Sequence, residues 1–175
     1  MTRKEREALR AEVERHRSTF MYLCKHLRYW ACYMKALQKI HGNSWEEVFN
    51  LALTEAAKEA AKYMLECLKR WTNKIPVTFS DVVEAHLKML SDMGVSITVE
   101  AKNDKEFVYR VVNCPIASVV DISPEVCYCE IKWVEKMLSI AIGQNVSNEA
   151  PMRIATGSPY CKHVITLNDN KNRVT

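Results

Sequence analysis

From Leu9 the apolar residues fall at Leu9, Val13, Phe20, Leu23, Leu27, Trp30, Met34 and Leu37, with His16 as the one interruption. This alternating four-three repeat is the seam of a coiled coil or of a long bundle helix. Unbroken from Thr2 to Lys39, it predicts a rod of about 55 Å at the helical rise. That is longer than a globule of this size is wide, so part of the rod is expected to project and meet a second copy, giving a homodimer. The other reading breaks the helix near His16 and leaves its first half as a solvated, charged end. Cys24, His26 and Cys32 lie along this helix, and their spacing gives no shared metal face.

A second helix is predicted after His41-Gly-Asn-Ser44, where Ser44 and Glu47 form a capping box. It runs to about Trp71, with Trp45, Phe49, Ala52, Ala56, Ala60, Tyr63 and Cys67 expected on one inward stripe. A third helix is expected from Ser80 to Gly94, a residue suited to a left-handed helix end. Beyond Gly94 the period changes to two. Val95, Ile97 and Val99 alternate with polar residues, a Lys-Asn-Asp-Lys turn follows, and Phe107 to Val112 completes a predicted hairpin. Ser123-Pro124-Glu125 opens a fourth helix that ends at Gly143, with Ser as N-cap and Pro in the first turn. A second hairpin is predicted from Met152–Ala155, a Thr156–Pro159 turn and Tyr160–Leu167. The expected fold is therefore α+β: a helical half over 1–93, a β-β-α-β-β split α/β half over 94–167, and a polar tail over 168–175, all in one domain.

Composition agrees with a folded domain. The 175 residues are 48% hydrophobic and 26% charged, with 4 Gly and 5 Pro. The net charge of +4 is spread along the chain, so no nucleic-acid partner is expected. No stretch approaches the roughly 18 apolar residues of a membrane span, and the charged N-terminus has no apolar region behind it. The expected location is the cytoplasm. Seven cysteines, an odd number, point to reduced thiols in such a compartment.

Four of these carry the candidate chemistry. Cys114 ends the first hairpin, Cys127 and Cys129 sit in the first turns of the following helix, and Cys161 begins the last strand. Helix N-termini favour thiolates, and such a cluster suits a Zn ion, an iron–sulfur centre or a nucleophile. Against a metal, Cys127-Tyr-Cys129 lacks the two-residue knuckle spacing, and two helical residues so placed point roughly 200° apart. Cys127 instead lines up with Ile131, Val134 and Leu138, and Cys129 with Trp133 and Ile140. Three readings stay open: buried packing, a reactive thiol and a metal site. Strand alternation puts Cys161 and His163 on one side. His86 shares a helix face with Val82, Met89 and Met93, as a core or pocket-lining histidine. Arg153 is expected on a strand beside the Gly157 turn, solvated or paired with a ligand carboxylate. Cys67, Cys24 and Cys32 read as core.

The C-terminal pattern Cys114-Pro115, Pro124-Glu-Val-Cys127, a long helix and Arg153-Ile-Ala-Thr-Gly157-x-x-x-Cys161-x-x-Val-Ile165 resembles the L-2-amino-thiazoline-4-carboxylic acid hydrolase-like family. More distantly it is similar to the 4-vinyl reductase-like small-molecule-binding domain. The resemblance covers roughly residues 110–167. It implies a pocket for a small organic ligand between the sheet and the long helices, with cysteines near it; Cys114, His86, Trp133, Arg153 and Tyr160 are the candidate ligand contacts. As a hydrolase, the protein would direct water at a cyclic C=N or C–S centre. Cys127, Cys129 or Cys161, or a metal-bound water, would be the nucleophile, and His163 or Glu130 the base. The other reading is a dimeric, non-enzymatic sensor of a ligand, a metal or redox state.

Overall fold

The computed structural model describes residues 36, 39–40, 42, 45–72, 78–115 and 124–169. The predicted first helix with Cys24, His26 and Cys32, the Ser44 and Ser123 caps and most of the polar tail lie outside them. Among the described residues an α+β architecture is seen. Helix α1 spans Trp45–Thr72 and α2 Phe79–Asp92; strands β1 (Ile97–Lys102) and β2 (Glu106–Val111) follow; then come α3 (Pro124–Ile142), β3 (Val146–Met152) and β4 (Cys161–Leu167). The four strands form one antiparallel sheet in the order β1-β2-β4-β3.

Local chemistry sets the element ends. Helix α2 starts at Phe79 rather than at Ser80, because Thr78 is its cap. The Asp81 N–H donates to Thr78 Oγ1 at 3.2 Å, and the Thr78 hydroxyl donates to the Asp81 carboxylate at 2.5 Å. The helix is released through Gly94 at φ 85°, a conformation that favours glycine. In the β1–β2 turn, Asn103 Oδ1 accepts from the backbone N–H groups of Lys105 and Glu106, both at 2.8 Å, the Asx-type closure that polar tetrad suits.

Two expectations are corrected. On α1 the inward stripe is Leu53, Ala57, Ala61, Met64 and Leu68, joined by Cys67. Ala52 and Ala56 are exposed, and Tyr63 is 57% exposed. The helix carries two alanine-rich stripes side by side; the buried one includes Leu53, Met64 and Leu68, and burying these removes more apolar area from water. In the second hairpin, only Met152 of the expected Met152–Ala155 strand is strand. The strand lies earlier, at Val146–Met152, and Ile154–Thr156 form a 3₁₀ turn closed by Gly157 at φ 91°. The carbonyl of Arg153 accepts from both Thr156 and Ser158 N–H at 3.1 Å, so the chain folds back where continued strand pairing was expected. Arg153 therefore caps the turn.

The inner face of the sheet alternates as its period demands: Phe107, Tyr109 and Val111 on β2, Cys161, His163 and Ile165 on β4. Helices α2 and α3 cover this face and α1 packs mainly on α3. Phe79 of α2 meets Phe107 edge-on at 5.7 Å between ring centres. Helix α3 buries Cys127, Ile131, Val134 and Leu138, the predicted line, together with Met137. It also covers the outer edge of β3. Ser139 Oγ accepts from Val146 N–H at 3.0 Å and Glu135 accepts from Asn148 N–H at 3.2 Å.

Candidate functional site

Strand register assembles the site. Across β2 and β4, Val111 pairs with Cys161 and Tyr109 with His163. Cys114 follows Val111 by three residues, at the point where the chain leaves the sheet. The turn before it is held by Asn113, whose side chain accepts from Ser96 N–H and donates to the Gly94 carbonyl. This returns Cys114 to the start of β4, where it hydrogen-bonds the Cys161 thiol. The Gly157-to-Cys161 spacing has a local purpose. The 3₁₀ turn it closes aims the Ile154 N–H at Cys161 Sγ, 3.4 Å away.

These contacts give each thiol a different character. The hydrogen bond from Cys114 and that from Ile154 stabilise the charged form of Cys161, bringing it from 9.0 down to about 7 against the cost of burial. Cys127 behaves in the opposite way. Burial, and then the nearby Cys114 and Glu130, push it up to about 11, with the Arg153 charge opposing. The expectation of a thiolate at the helix start is therefore not met at Cys127, since desolvation there outweighs the helix terminus. Glu130 is pushed up to about 8 by burial and by Cys114, so it carries a proton at neutral pH. The side chain of Cys129 lies outside the described residues. Among the described residues no group of three or more His, Cys, Asp or Glu side chains could hold a metal ion. The Zn or iron–sulfur reading of the cysteines, one of the three left open, therefore finds no support in them.

A second polar group lies deeper. His86 on α2 is 4% exposed, and its Nε2 has no hydrogen-bond partner among the described residues. Burial and the neighbouring His163 drive it down to about 4. His163 is likewise driven to about 4 by burial. Its ring stacks on Tyr109 with centres 4.9 Å apart and planes 6° apart, and Nδ1 faces Asn148 Oδ1 at 3.4 Å. Asn148 donates in turn to the Ile131 carbonyl of α3 at 3.2 Å. Tyr109 joins the two groups: burial raises its hydroxyl pKa, and Glu130, Cys114 and Cys161 add to the rise.

The structure thus brings Cys114, Cys127, Glu130 and Cys161 together, with Arg153 in reach of Cys127 and His163 one inward position along the strand. Trp133 packs half-buried against the core. Tyr160 is drawn elsewhere. It stacks under the Arg110 guanidinium, 4.7 Å from the ring, on the outer face where Arg110 and Lys162 also pair with Glu100. Sequence reasoning missed Tyr109 and Asn148. The first hid among core aromatics, and the second sits on a strand that was not predicted. Two surface hollows lie by Gly94–Thr98 and between Leu65 and Ile140, and the first borders the Asn113 turn that precedes Cys114.

The sequence matches no protein-family model and no curated protein, and the hydrolase family is not shown. By fold, the chain is similar to the phenol-responsive sensory domain of the transcription activator PoxR, solved with phenol. The TM-score is 0.59 at 12% identity, over 81% of this chain and 74% of that one. The likeness is one of fold. Further matches are a trafficking protein particle complex subunit 3 from Naegleria fowleri covalently bound to palmitic acid (TM-score 0.49, 14% identity, 82% and 96% covered) and an H-NOX protein from S. oneidensis in the Fe(II)NO ligation state (0.39, 14%, 86% and 98%). Among the described residues no helix is long and apolar enough to cross a membrane.

Proposed function

We propose that the protein is a small-molecule-binding sensor whose ligand is a compact, largely apolar molecule with one hydroxyl or carbonyl group. The observation that carries this reading is the buried His86 Nε2, without a partner among the described residues. An unsatisfied polar atom in a core costs about 1–3 kcal/mol and calls for an explanation such as an absent ligand or water. A neutral imidazole both donates and accepts, so it suits a hydroxyl or a carbonyl. The PoxR sensory domain, which shares the fold, responds to phenol, and this supports a monocyclic phenol as the first ligand class to try. The dimer expected from residues 2–39 belongs to the same proposal, although those residues lie almost wholly outside the described ones.

The test is a thermal-shift and calorimetric panel of monocyclic phenols, aryl alcohols and aryl ketones. A ligand at a hundred times its Kd stabilises by about 2.7 kcal/mol. For a chain of this size that raises Tm by roughly 5–10 °C. His86→Leu should stay folded and lose the shift. No binding by any member, or equal binding by His86→Leu, refutes the reading. A hydrolase is the second reading, favoured by the thiolate-forming Cys161 beside a protonated Glu130. Turnover of aminothiazoline carboxylate that Cys161→Ser abolishes would put it first.

A further inference from the structure

We propose that Cys114 and Cys161 are an oxidisable dithiol, a modification site that takes a hydroperoxide: Cys161 attacks the peroxide and Cys114 resolves the product to an intramolecular disulfide. The proposal stands independently of the ligand reading. Its basis is a pair of thiols that the β2–β4 register and the turn at Asn113 bring to the same end of the sheet, where the Ile154 N–H is aimed at Cys161 Sγ from 3.4 Å. Their surroundings differ in the way the two steps require. Cys161 receives a backbone N–H from Ile154 as well as the Cys114 thiol proton, two donors that stabilise negative charge on its sulfur. Cys114 is half-buried and Cys161 5% exposed. Cys127, the third thiol of the group, is held in its protonated form by burial, which leaves two sulfurs rather than three to react.

The chemistry balances. Thiolate sulfur of Cys161 attacks one peroxide oxygen, the O–O bond breaks, and the departing oxygen takes up a proton as water or an alcohol. Cys161 is then a sulfenic acid, oxidised by two electrons, while the peroxide is reduced by two. Cys114 sulfur attacks Cys161 sulfur, the S–O bond breaks, and water leaves with the Cys114 proton. The product staples the end of β2 to the start of β4, one cross-strand step from the stacked Tyr109–His163 pair.

The experiment uses the reduced full chain treated with a few equivalents of hydrogen peroxide, alkylated with iodoacetamide, digested and mapped by mass spectrometry. The expected result is a Cys114–Cys161 cross-linked peptide, lost from the alkylated pool together and restored by dithiothreitol, with Cys67 still a thiol. In Cys114→Ser the reaction should stop at a Cys161 sulfenic acid that dimedone captures. Without peroxide, Cys161 should alkylate at pH 7 at least about tenfold faster than Cys127, since its larger thiolate fraction outweighs its lower intrinsic nucleophilicity. Both thiols still alkylated after peroxide, a Cys161 sulfenic acid that accumulates in the wild type without cross-linking, or a cross-link from Cys161 to Cys127 or Cys129 would each overturn the proposal. The wild-type map decides the matter even if Cys114→Ser fails to fold.

Discussion

Lowering the pH is the most direct probe of the buried polar core, because its titrating groups act in opposite directions. His86 and His163 are each driven from 6.5 to about 4, so between those values the unfolded chain takes up two protons that the folded one refuses. Glu130 is driven from 4.5 to about 8, so from pH 4.5 upward the folded chain holds one proton that the unfolded one has lost. Between pH 4.5 and 6.5 the unfolded state therefore binds a net one proton more, and stability rises by about 1.4 kcal/mol per pH unit. Across that window the gain is about 3 kcal/mol, a large share of the roughly 5–15 kcal/mol that holds a typical domain. Above pH 6.5 both histidines are neutral in either state and only Glu130 acts, so stability falls with rising pH. Near pH 7 Cys161, lowered from 9.0, begins to lose its proton in the folded state and offsets that fall. The expected profile has its maximum near pH 6.5. Urea midpoints and m-values taken at half-unit steps from pH 4.5 to 8 measure it. His86→Leu should flatten the acid limb, since one histidine then cancels Glu130. Glu130→Gln should double its slope and remove the fall above the maximum. A wild-type curve without a maximum between pH 6 and 7, or an acid limb unchanged in His86→Leu, refutes the claim that burial keeps the imidazoles neutral.

Leu138 is fully buried on α3, and Leu138→Ala should cost about 2–5 kcal/mol in urea unfolding. A loss below about 1 kcal/mol would mean that α3 does not pack as described. Ser139→Ala removes the acceptor of the Val146 N–H and should cost about 1 kcal/mol. Amide exchange should quicken at Val146 while β2 and β4 keep their protection, and unchanged exchange at Val146 would count against the contact.

What could be read in the residues was whatever rests on short-range pattern. The alternation Phe107-x-Tyr109-x-Val111 and Cys161-x-His163-x-Ile165 marked two inward faces, and Cys127 took its place among Ile131, Val134 and Leu138 as the helical period requires. The α1 stripe was misplaced because alanine contributes little to a hydrophobic pattern on either side of a helix. The second hairpin was misplaced because Asn148 faces inward with a polar side chain, satisfied by His163 and the Ile131 carbonyl. A partner on another element cannot be seen in a local pattern. The same limit hid the division of labour among the thiols. Spacing named the four cysteines, but which sulfur receives the Ile154 N–H depends on a turn closed by Gly157, and which is desolvated depends on how α3 lies on the sheet.

The covering of β3 by α3 has a consequence for assembly. Val146 and Asn148 spend their outward N–H groups on Ser139 and Glu135, and Pro151 further along has none to offer. That margin of the sheet cannot recruit a strand from another molecule. Among the described residues the opposite margin, β1, carries no such cover along Ile97–Lys102, apart from the bulge between Val99 and Ala101 and the Lys102–Glu84 ion pair. A sheet with one closed margin can be extended on one side only. Strand addition between two copies would therefore join open margin to open margin and stop at a pair, leaving no end from which a fibre could grow.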